Sequence, residues 1–215
     1  MSNINQDYIV DYLREVTPNN KEFLQELEVF AHKEHVPIIE PEVAQLLKVI
    51  LKIKKPEKIL EVGTAIGYSS MLMADALNKN CEIITIERYD KMFNLATENI
   101  KKNGFDKVID IRFNDALEEL PKIDEKFDLI FIDAAKGQYI EFFDLVRDKL
   151  NEDGIIISDN VLYKGMVAND ELVLRRKKTI VKRLRNYLEY INDIKEYTTA
   201  LIPIGDGVAV TYRGE

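Results

Sequence analysis

The pattern of the chain changes after Pro56, and the new pattern limits the possible folds more than any other feature of the sequence. Short, β-branched apolar runs alternate with amphipathic segments: KILEVG is followed by YSSMLMADALNK, and EIITIE, VIDIRF, FDLIFID and GIIISD follow in turn, each with its own polar-faced segment. The runs are too short for helices, whereas the segments between them have helical spacing. This alternation predicts a parallel sheet that is covered by helices on both faces.

Both ends of the chain depart from the alternation. Residues 1–55 have the pattern of helices, clearest in VAQLLKVILKI, and prolines punctuate them. Towards the other end, two strand-like runs flank Gly205-Asp206-Gly207, which is typical of a hairpin. We therefore predict an N-terminal helical segment (1–55) packed on the same domain as a doubly wound α/β unit (56–215), closed by an antiparallel pair of strands.

Length and composition predict a soluble protein of a reducing compartment. Of 215 residues, 46% are apolar, enough for a sizeable core, and 32% are charged. No apolar run approaches the roughly 18 residues of a membrane span, and the start MSNINQDYIVDYLREV lacks the pattern of a signal peptide. The lone Cys81 excludes an internal disulfide. We expect a cytoplasmic protein with no membrane partner.

Charge is spread unevenly along the chain. The net charge of −8 argues against nucleic acid, yet the stretch from Lys164 to Arg185 carries eight cations and two acids. This stretch is therefore +6 and the rest of the chain is −14. A run of charge is usually a solvated helix face, and that interpretation competes with a binding role here.

Glycines and acids follow the first three predicted strands, where sheets of this kind bind ligands. Gly63 and Gly67 separate the first strand from its helix and allow a ligand to approach the backbone, although their spacing departs from the G-x-G-x-x-G fingerprint. Glu87 ends the second strand at the distance expected for an acid that binds ribose. Asp115 follows the third strand and either accepts from an exocyclic amine or caps the next helix. Together these positions predict an adenosine-containing cofactor.

Two further strand ends carry oxygen-bearing side chains. Asp133 ends the fourth strand, and Asp159 with Asn160 ends the fifth. Clustered carboxylates repel unless a cation compensates them, and two carboxylates with one amide oxygen form half of an octahedral Mg²⁺ shell. The alternative is a helix cap and a turn. Lys136 would lie beside such a metal and a cofactor pocket, where a lysine can remove a proton.

These motifs resemble those of a known family. EVGTAIGYSS, IER, NDA, FIDAAKGQY, SDNVLYKG and PIGDGVAV, in this order and spacing, are similar to the cation-dependent class I O-methyltransferases, which include catechol and caffeoyl-CoA O-methyltransferases. The resemblance runs from about Val36 onward. It implies a Rossmann-like fold with a seven-stranded, mostly parallel sheet, S-adenosylmethionine and Mg²⁺ (or another divalent cation) as cofactors, and a homodimer. Through HVPI, IDAAKGQY, DNVLYKG and the basic stretch, the nearest resemblance is to bacterial tRNA 5-hydroxyuridine methyltransferases.

The resemblance also implies a role for each candidate residue. The S-adenosylmethionine site would comprise Ile39, Glu61, Gly63, Tyr68, Ser69, Glu87, Asp115, Ala116 and Asp133. Within that set, Glu87 would bind the ribose, and the residues from Glu61 to Ser69 would surround the amino acid part. Asp133, Asp159 and Asn160 would be the metal ligands. Lys136, with Asp133, would be catalytic.

The predicted reaction is Mg²⁺-dependent methylation of the 5-hydroxyl of 5-hydroxyuridine at the tRNA wobble position, which forms 5-methoxyuridine. Phosphates of the anticodon stem would bind Lys164, Arg175, Arg176, Lys177 and Lys178. The alternative substrate is a catechol or phenylpropanoid with vicinal hydroxyls, because one metal site suits either pair of oxygens. A non-catalytic adenosine-binding module is disfavoured by Lys136 and the metal-ligand set.

Overall fold

The computed structural model describes residues 4–214, and in that range a single mixed sheet has helices on both faces. The strands are β1 Lys58–Val62, β2 Glu82–Glu87, β3 Ile109–Phe113, β4 Phe127–Ile132, β5 Leu150–Ser158, β6 Tyr197–Ile202 and β7 Val208–Arg213. The helices are α1 Asp7–Val16, α2 Glu22–Glu34, α3 Pro41–Lys54, α4 Tyr68–Ala76, α5 Asp90–Lys102, α6 Ala116–Glu119, α7 Tyr139–Val146 and α8 Lys178–Asp193. Short 3₁₀ turns precede or follow several helices, among them Lys136–Gln138 and Arg175–Lys177.

The strand order is β3-β2-β1-β4-β5-β7-β6 within residues 4–214. The first five strands pair in parallel, and β7 pairs antiparallel with both β5 and β6. The predicted doubly wound α/β fold, mostly parallel with a C-terminal antiparallel hairpin and N-terminal helices, is therefore confirmed. The alternation of strands and helices produced it, because each crossover helix returns the chain for another parallel strand.

Two apolar layers hold the sheet, one on each face. Alternate residues of β4 enter different layers: Leu129 and Phe131 pack with α2 to α5, whereas Ile130 and Ile132 pack with α6 to α8. All four side chains are fully buried, and each contributes about 1.5–3 kcal/mol through burial. The N-terminal helices α2 and α3 share the first of these layers with β1. No helix among residues 4–214 is long and apolar enough to cross a membrane.

The register of the sheet brings the carboxyl ends of four strands to one edge. Val62 pairs with both Ile86 and Ile132, and Ile132 pairs with Ser158. Backbone hydrogen bonds continue one residue further, from Gly63 N to Ile86 O (3.1 Å), from Asp133 N to Val62 O (3.0 Å) and from Asp159 N to Ile132 O (3.0 Å). The side chains that follow β1, β2, β4 and β5 are thereby neighbours, although they are far apart in sequence.

Candidate active site

A cavity of about 450 Å³ opens at this edge of the sheet. Its size lies in the range of sites for nucleoside-sized ligands. The sequence-predicted residues that line it are Ile39, Gly63, Tyr68, Ser69, Glu87, Asp115, Ala116, Asp133, Lys136 and Asn160. Glu61 and Asp159 are not in the wall; both are buried, with 0% and 2% of their surface exposed. The structure therefore brings the predicted cofactor and metal residues into one region.

The wall between β1 and α4 is made of backbone, and Gly63 is the reason. Gly63 has φ +102°, and a Cβ at this position would collide with the carbonyl oxygen of Asp133. Only glycine allows the ends of β1 and β4 to approach so closely. At Gly67 (φ +83°) the chain turns into α4, whose first-turn N–H groups and helix dipole suit a ligand carboxylate.

Glu61 provides a buried carboxylate beside this wall. Its Oε2 accepts a 2.5 Å hydrogen bond from Thr85 Oγ1, which lies 2.6 Å from Thr64 Oγ1. Its Oε1 has no hydrogen-bond partner among residues 4–214. Burial raises the pKa of Glu61 to about 7, and the nearby hydroxyls of Ser69 and Thr85 oppose that rise. An orphaned buried oxygen next to the cavity-lining Ser69 fits an ammonium group, such as that of S-adenosylmethionine.

Glu87 faces the cavity and also organises its rim. Its Oε2 accepts from Ala65 N (2.9 Å), and its Oε1 accepts from Arg88 N (2.9 Å) and Tyr89 N (2.8 Å). The carboxylate therefore joins the loops after β1 and β2. Three of the four acceptor directions of the carboxylate are therefore used, and the one that remains, on Oε2, is available for a ribose hydroxyl. The loop-joining contacts had no signal in the sequence.

Asp115 takes the capping role of the two that the sequence left open, and it also lines the cavity. Its Oδ1 accepts from Leu117 N (2.9 Å) and caps α6, and its Oδ2 accepts from Arg88 Nη1 (3.1 Å). Arg88 in turn lies 4.9 Å from the centre of the Tyr89 ring. Arg88 and Tyr89 line the cavity next to Asp115 and Ala116, and sequence reasoning missed both of them.

Tyr68 lines the cavity, but its hydroxyl bonds elsewhere. Tyr68 Oη donates to Glu28 Oε1 of α2 (2.6 Å) and accepts from Asn20 Nδ2 (3.1 Å). Asn20 also accepts from Lys48 Nζ of α3 (2.9 Å). A ligand in the cavity would therefore meet the ring and backbone of Tyr68. The hydroxyl of Tyr68 instead connects the N-terminal helices to the cavity wall.

The predicted metal ligands converge at the tips of β4 and β5. Asn160 Nδ2 lies 3.3 Å from Asp133 Oδ1, and Asn160 N donates to Asp159 Oδ1 (2.7 Å). Asn160 has φ +61°, a conformation that asparagine tolerates better than most residues. Rotating its amide exchanges nitrogen for oxygen at the same place, so Oδ1 can face a cation beside Asp133.

Electrostatics at these carboxylates favour a bound cation. Burial raises the pKa of Asp133 and of Asp159, and the charge of Asp133 raises the pKa of Asp159 further. The charge of Lys136 acts in the opposite direction on both. Residues 4–214 contain no cluster of three or more His, Cys, Asp or Glu side chains suited to a metal. A cation site here would therefore need the amide of Asn160 as its third protein ligand, and such a hard-oxygen set would fit Mg²⁺.

Lys136 occupies the 3₁₀ turn between β4 and α7 and lines the cavity next to Asp133. Sequence reasoning missed two neighbours of this region. Tyr139 Oη donates to the backbone oxygen of Asp159 (2.8 Å). Asp206, in the turn between β6 and β7, is close enough for its charge to raise the pKa of Asp133 and Asp159. The G-D-G motif marked a turn in the sequence and gave no signal of this proximity.

The basic stretch begins beside these loops. Arg183 Nη1 donates to the carbonyl oxygen of Gly137 (2.9 Å), next to Lys136, and Lys177 Nζ lies 5.5 Å from the centre of the Tyr163 ring. Lys164, Arg175, Arg176 and Lys178 are exposed. Arg185 instead turns inward and donates to Val167 O (2.9 Å). Of the predicted RNA-binding residues, four are therefore exposed and Lys177 is half-buried.

Comparison with known proteins gives a consistent result. A family model described as O-methyltransferase matches residues 14–214. The catechol O-methyltransferase of Niastella koreensis is 35% identical over an alignment of 136 positions that covers 61% of this chain and 62% of that protein. The caffeoyl-CoA O-methyltransferase of Medicago sativa is 29% identical over an alignment of 228 positions, gaps included, that covers 98% of this chain and 90% of that protein.

Solved structures agree. A Staphylococcus aureus protein provisionally named as a caffeoyl-CoA O-methyltransferase is 34% identical with a TM-score of 0.87, over 97% of this chain and 98% of that one. An O-methyltransferase of Bacillus cereus in complex with SAH is 25% identical with a TM-score of 0.83, over 96% of this chain and 97% of that one. Fold, cavity and matches together define a class I S-adenosylmethionine-dependent methyltransferase. The chain belongs to the O-methyltransferase family.

Proposed function

We propose that this protein methylates one of two neighbouring oxygens in a cation-dependent reaction, and that the acceptor is 5-hydroxyuridine at the wobble position of tRNA, which becomes 5-methoxyuridine. The observation that carries the RNA part is the contact between Arg183 and Gly137, because it places a basic surface beside Lys136 and the candidate metal ligands.

The cofactor residues follow from the cavity. Glu61 Oε1 would bind the amino group of S-adenosylmethionine, and the first-turn N–H groups of α4 would bind its carboxylate. Glu87 would accept from a ribose hydroxyl, with Asp115 and Ala116 beside the adenine. Asp133, Asp159 and Asn160 would hold the cation. S-adenosylmethionine supplies the methyl group, and a divalent cation supplies Lewis acidity and orients the acceptor oxygens.

Lys136 supplies the acid–base function. Its Nζ, as the neutral amine, would accept the proton from the acceptor hydroxyl at the cavity mouth. The 5-hydroxyl and the C4 carbonyl of 5-hydroxyuridine provide the required pair of oxygens.

The exposed cations favour a polyanionic acceptor. Arg175, Arg176 and Lys178 are exposed on the 3₁₀ turn and the start of α8, and Arg183 lies one to two turns further along the same helix. In RNA the phosphates supply most of the non-specific affinity, while an unstacked base enters the pocket. The competing interpretation is still a solvated helix face.

A second candidate is a small acceptor with vicinal hydroxyls. The names of the relatives, catechol and caffeoyl-CoA O-methyltransferases, favour this candidate over tRNA. The same metal and lysine arrangement would serve a catechol ring, because both acceptors present two adjacent oxygens. The phosphates of a CoA ester would also suit the basic surface.

To test the proposal, the protein is incubated with S-adenosylmethionine and Mg²⁺ in three separate reactions. The acceptors are tRNA that contains 5-hydroxyuridine, a panel of catechols, and caffeoyl-CoA. Nucleoside mass spectrometry and product chromatography measure turnover. The tRNA proposal expects 5-methoxyuridine; turnover of catechols or caffeoyl-CoA without tRNA methylation would refute it and favour the second candidate.

Charge reversal then tests the basic surface. Arg175, Arg176, Lys177 and Lys178 are changed together to Glu, and the matched control changes four exposed lysines elsewhere, Lys33, Lys52, Lys101 and Lys107. We expect the first variant to lose tRNA methylation, with steep salt dependence in the wild type, and the control to retain it. Equal activity of both variants would mean that the stretch is only a solvated face.

A further inference from the structure

The loop that carries the candidate metal ligands has an unusual backbone. After Asp159, three non-glycine residues adopt left-handed conformations: Asn160 (φ +61°), Tyr163 (φ +45°) and Lys164 (φ +57°). Asparagine tolerates this region, but tyrosine and lysine rarely adopt it. Such a loop keeps its shape only if the surrounding structure holds it.

The turn between β6 and β7 supplies that support. Val161 N donates to Gly207 O (2.9 Å), and Leu162 N donates to Asp206 O (3.0 Å). Gly207 has φ +87°, and a Cβ there would collide with Leu162. The turn and the loop are therefore in direct backbone contact, residue against residue.

Asp206 adds a side-chain contact at the most strained point. Its Oδ1 accepts from the backbone N–H of Lys164, in the left-handed pair that ends the loop. The carboxyl is half-buried, and the other side of the turn is wedged against α3, because a Cβ on Gly205 would lie 2.5 Å from Val43 Cγ2. The turn that carries Asp206 therefore lies between the 160–164 loop and α3, in close contact with both.

We propose that Asp206 is a positioning residue: by accepting from Lys164 N it fixes the 160–164 loop and so holds Asp159 and Asn160 in place for the cation. The inference rests on the proposed cation-dependent function. It assigns no ligand role to Asp206, which acts through the loop. The acceptor oxygen, rather than the charge, is what the loop requires.

Two substitutions separate the acceptor from the charge. Asp206→Asn keeps an oxygen that can accept from Lys164 N and removes the charge, whereas Asp206→Ala removes both. Asp153→Ala is the matched control, because Asp153 also accepts one hydrogen bond, from Tyr212 Oη, but lies in the first half of β5, at the end away from the candidate site.

Two measurements are made on each protein. Mn²⁺ affinity is measured by electron paramagnetic resonance in the presence of SAH, and SAH affinity is measured by calorimetry. For Asp206→Ala we expect Mn²⁺ to bind roughly tenfold more weakly, as is typical for residues that support metal ligands, with SAH affinity unchanged. Asp206→Asn and Asp153→Ala should bind both as the wild type does. Equal loss in Asp206→Asn and Asp206→Ala would overturn the inference, because the charge would then be responsible.

Hydrogen exchange tests the loop without any metal. In Asp206→Ala, the amides of segment 159–167 should exchange roughly tenfold faster, the equivalent of one hydrogen bond, and Asp206→Asn should match the wild type. Unchanged exchange in Asp206→Ala overturns the inference. A wild-type protein that binds no Mn²⁺ would instead refute the metal site of the proposed function, while the exchange data would still decide the role of Asp206.

Discussion

Glu87→Ala should weaken cofactor binding and lower stability by separate, calculable amounts. In the folded protein the carboxylate accepts from three backbone N–H groups, those of Ala65, Arg88 and Tyr89, at 2.8–2.9 Å. If water replaces the carboxylate at the cavity rim, each bond costs about 1 kcal/mol net, or about 3 kcal/mol in total. For a chain of this size that loss lowers the Tm by about 6–12 °C.

The loss of cofactor affinity is a second effect of Glu87→Ala, separate from the loss of stability. One charge-assisted hydrogen bond from the ribose to the remaining acceptor direction of Glu87 would be worth roughly 1.5–3 kcal/mol, so SAH should bind on the order of tenfold to a hundredfold more weakly. The matched control is Glu82→Ala, at the other end of β2, where the side chain is exposed and lies 3.7 Å from Lys58. This control should change neither quantity appreciably.

Calorimetric titration with SAH and a thermal melt of the free protein measure the two effects. A lower Tm with unchanged SAH affinity would refute the ribose role and leave Glu87 as a residue that only joins the two loops. An unchanged Tm would refute the calculated contribution of the three backbone hydrogen bonds of Glu87 to stability.

Three further predictions concern the metal, Glu61 and assembly. Asp159→Ala should abolish methyl transfer while SAH binding remains near wild type, and full turnover in excess EDTA would contradict the metal assignment. Burial raises the pKa of Glu61 from 4.5 to about 7; between these values the unfolded chain releases a proton that the folded chain keeps, so the free energy of unfolding of the cofactor-free protein should fall as pH rises through this window. Denaturant unfolding at pH 5 and 7.5 measures this fall in the free energy of unfolding. The fall should be smaller in Glu61→Gln. If the variant shows the same fall as the wild type, Glu61 is not its source. We propose a homodimer through the exposed apolar side chains of the N-terminal helices, such as Tyr8 and Tyr12 (69% and 61% exposed); a monomer by light scattering at micromolar concentration would contradict it.

The local pattern of apolar and polar residues was sufficient to predict most of the fold. The runs that became β1, β2 and β4 are buried on both faces, so their apolar, β-branched composition is nearly continuous and easily recognised. The G-D-G turn likewise predicted the hairpin of β6 and β7. The position of β7 between β5 and β6 was not in the local pattern, because strand order depends on long-range pairing.

Some features of the candidate site were likewise predictable from the sequence, and others were not. Glu87, Asp133 and Asp159 were predictable because each directly follows an apolar run, and the ends of neighbouring parallel strands must meet. The hydroxyl of Tyr68 could not be placed from sequence, because its partner Glu28 lies 40 positions away on another helix. Asp206 was missed for the same reason, since its contact with Lys164 spans 42 positions.

The close approach at Gly63 has a consequence for how this protein can vary. Any side chain at that position would push the Asp133 carbonyl away and would also crowd Ala134 in the cavity wall. A saturation library at residue 63 should therefore return glycine alone among active clones. Because one displacement damages the candidate cofactor wall and the candidate metal ligand together, supplying more of either ligand would not rescue the other variants. In genetic terms, we expect that a higher supply of S-adenosylmethionine alone, or of the metal ion alone, does not suppress a substitution at position 63.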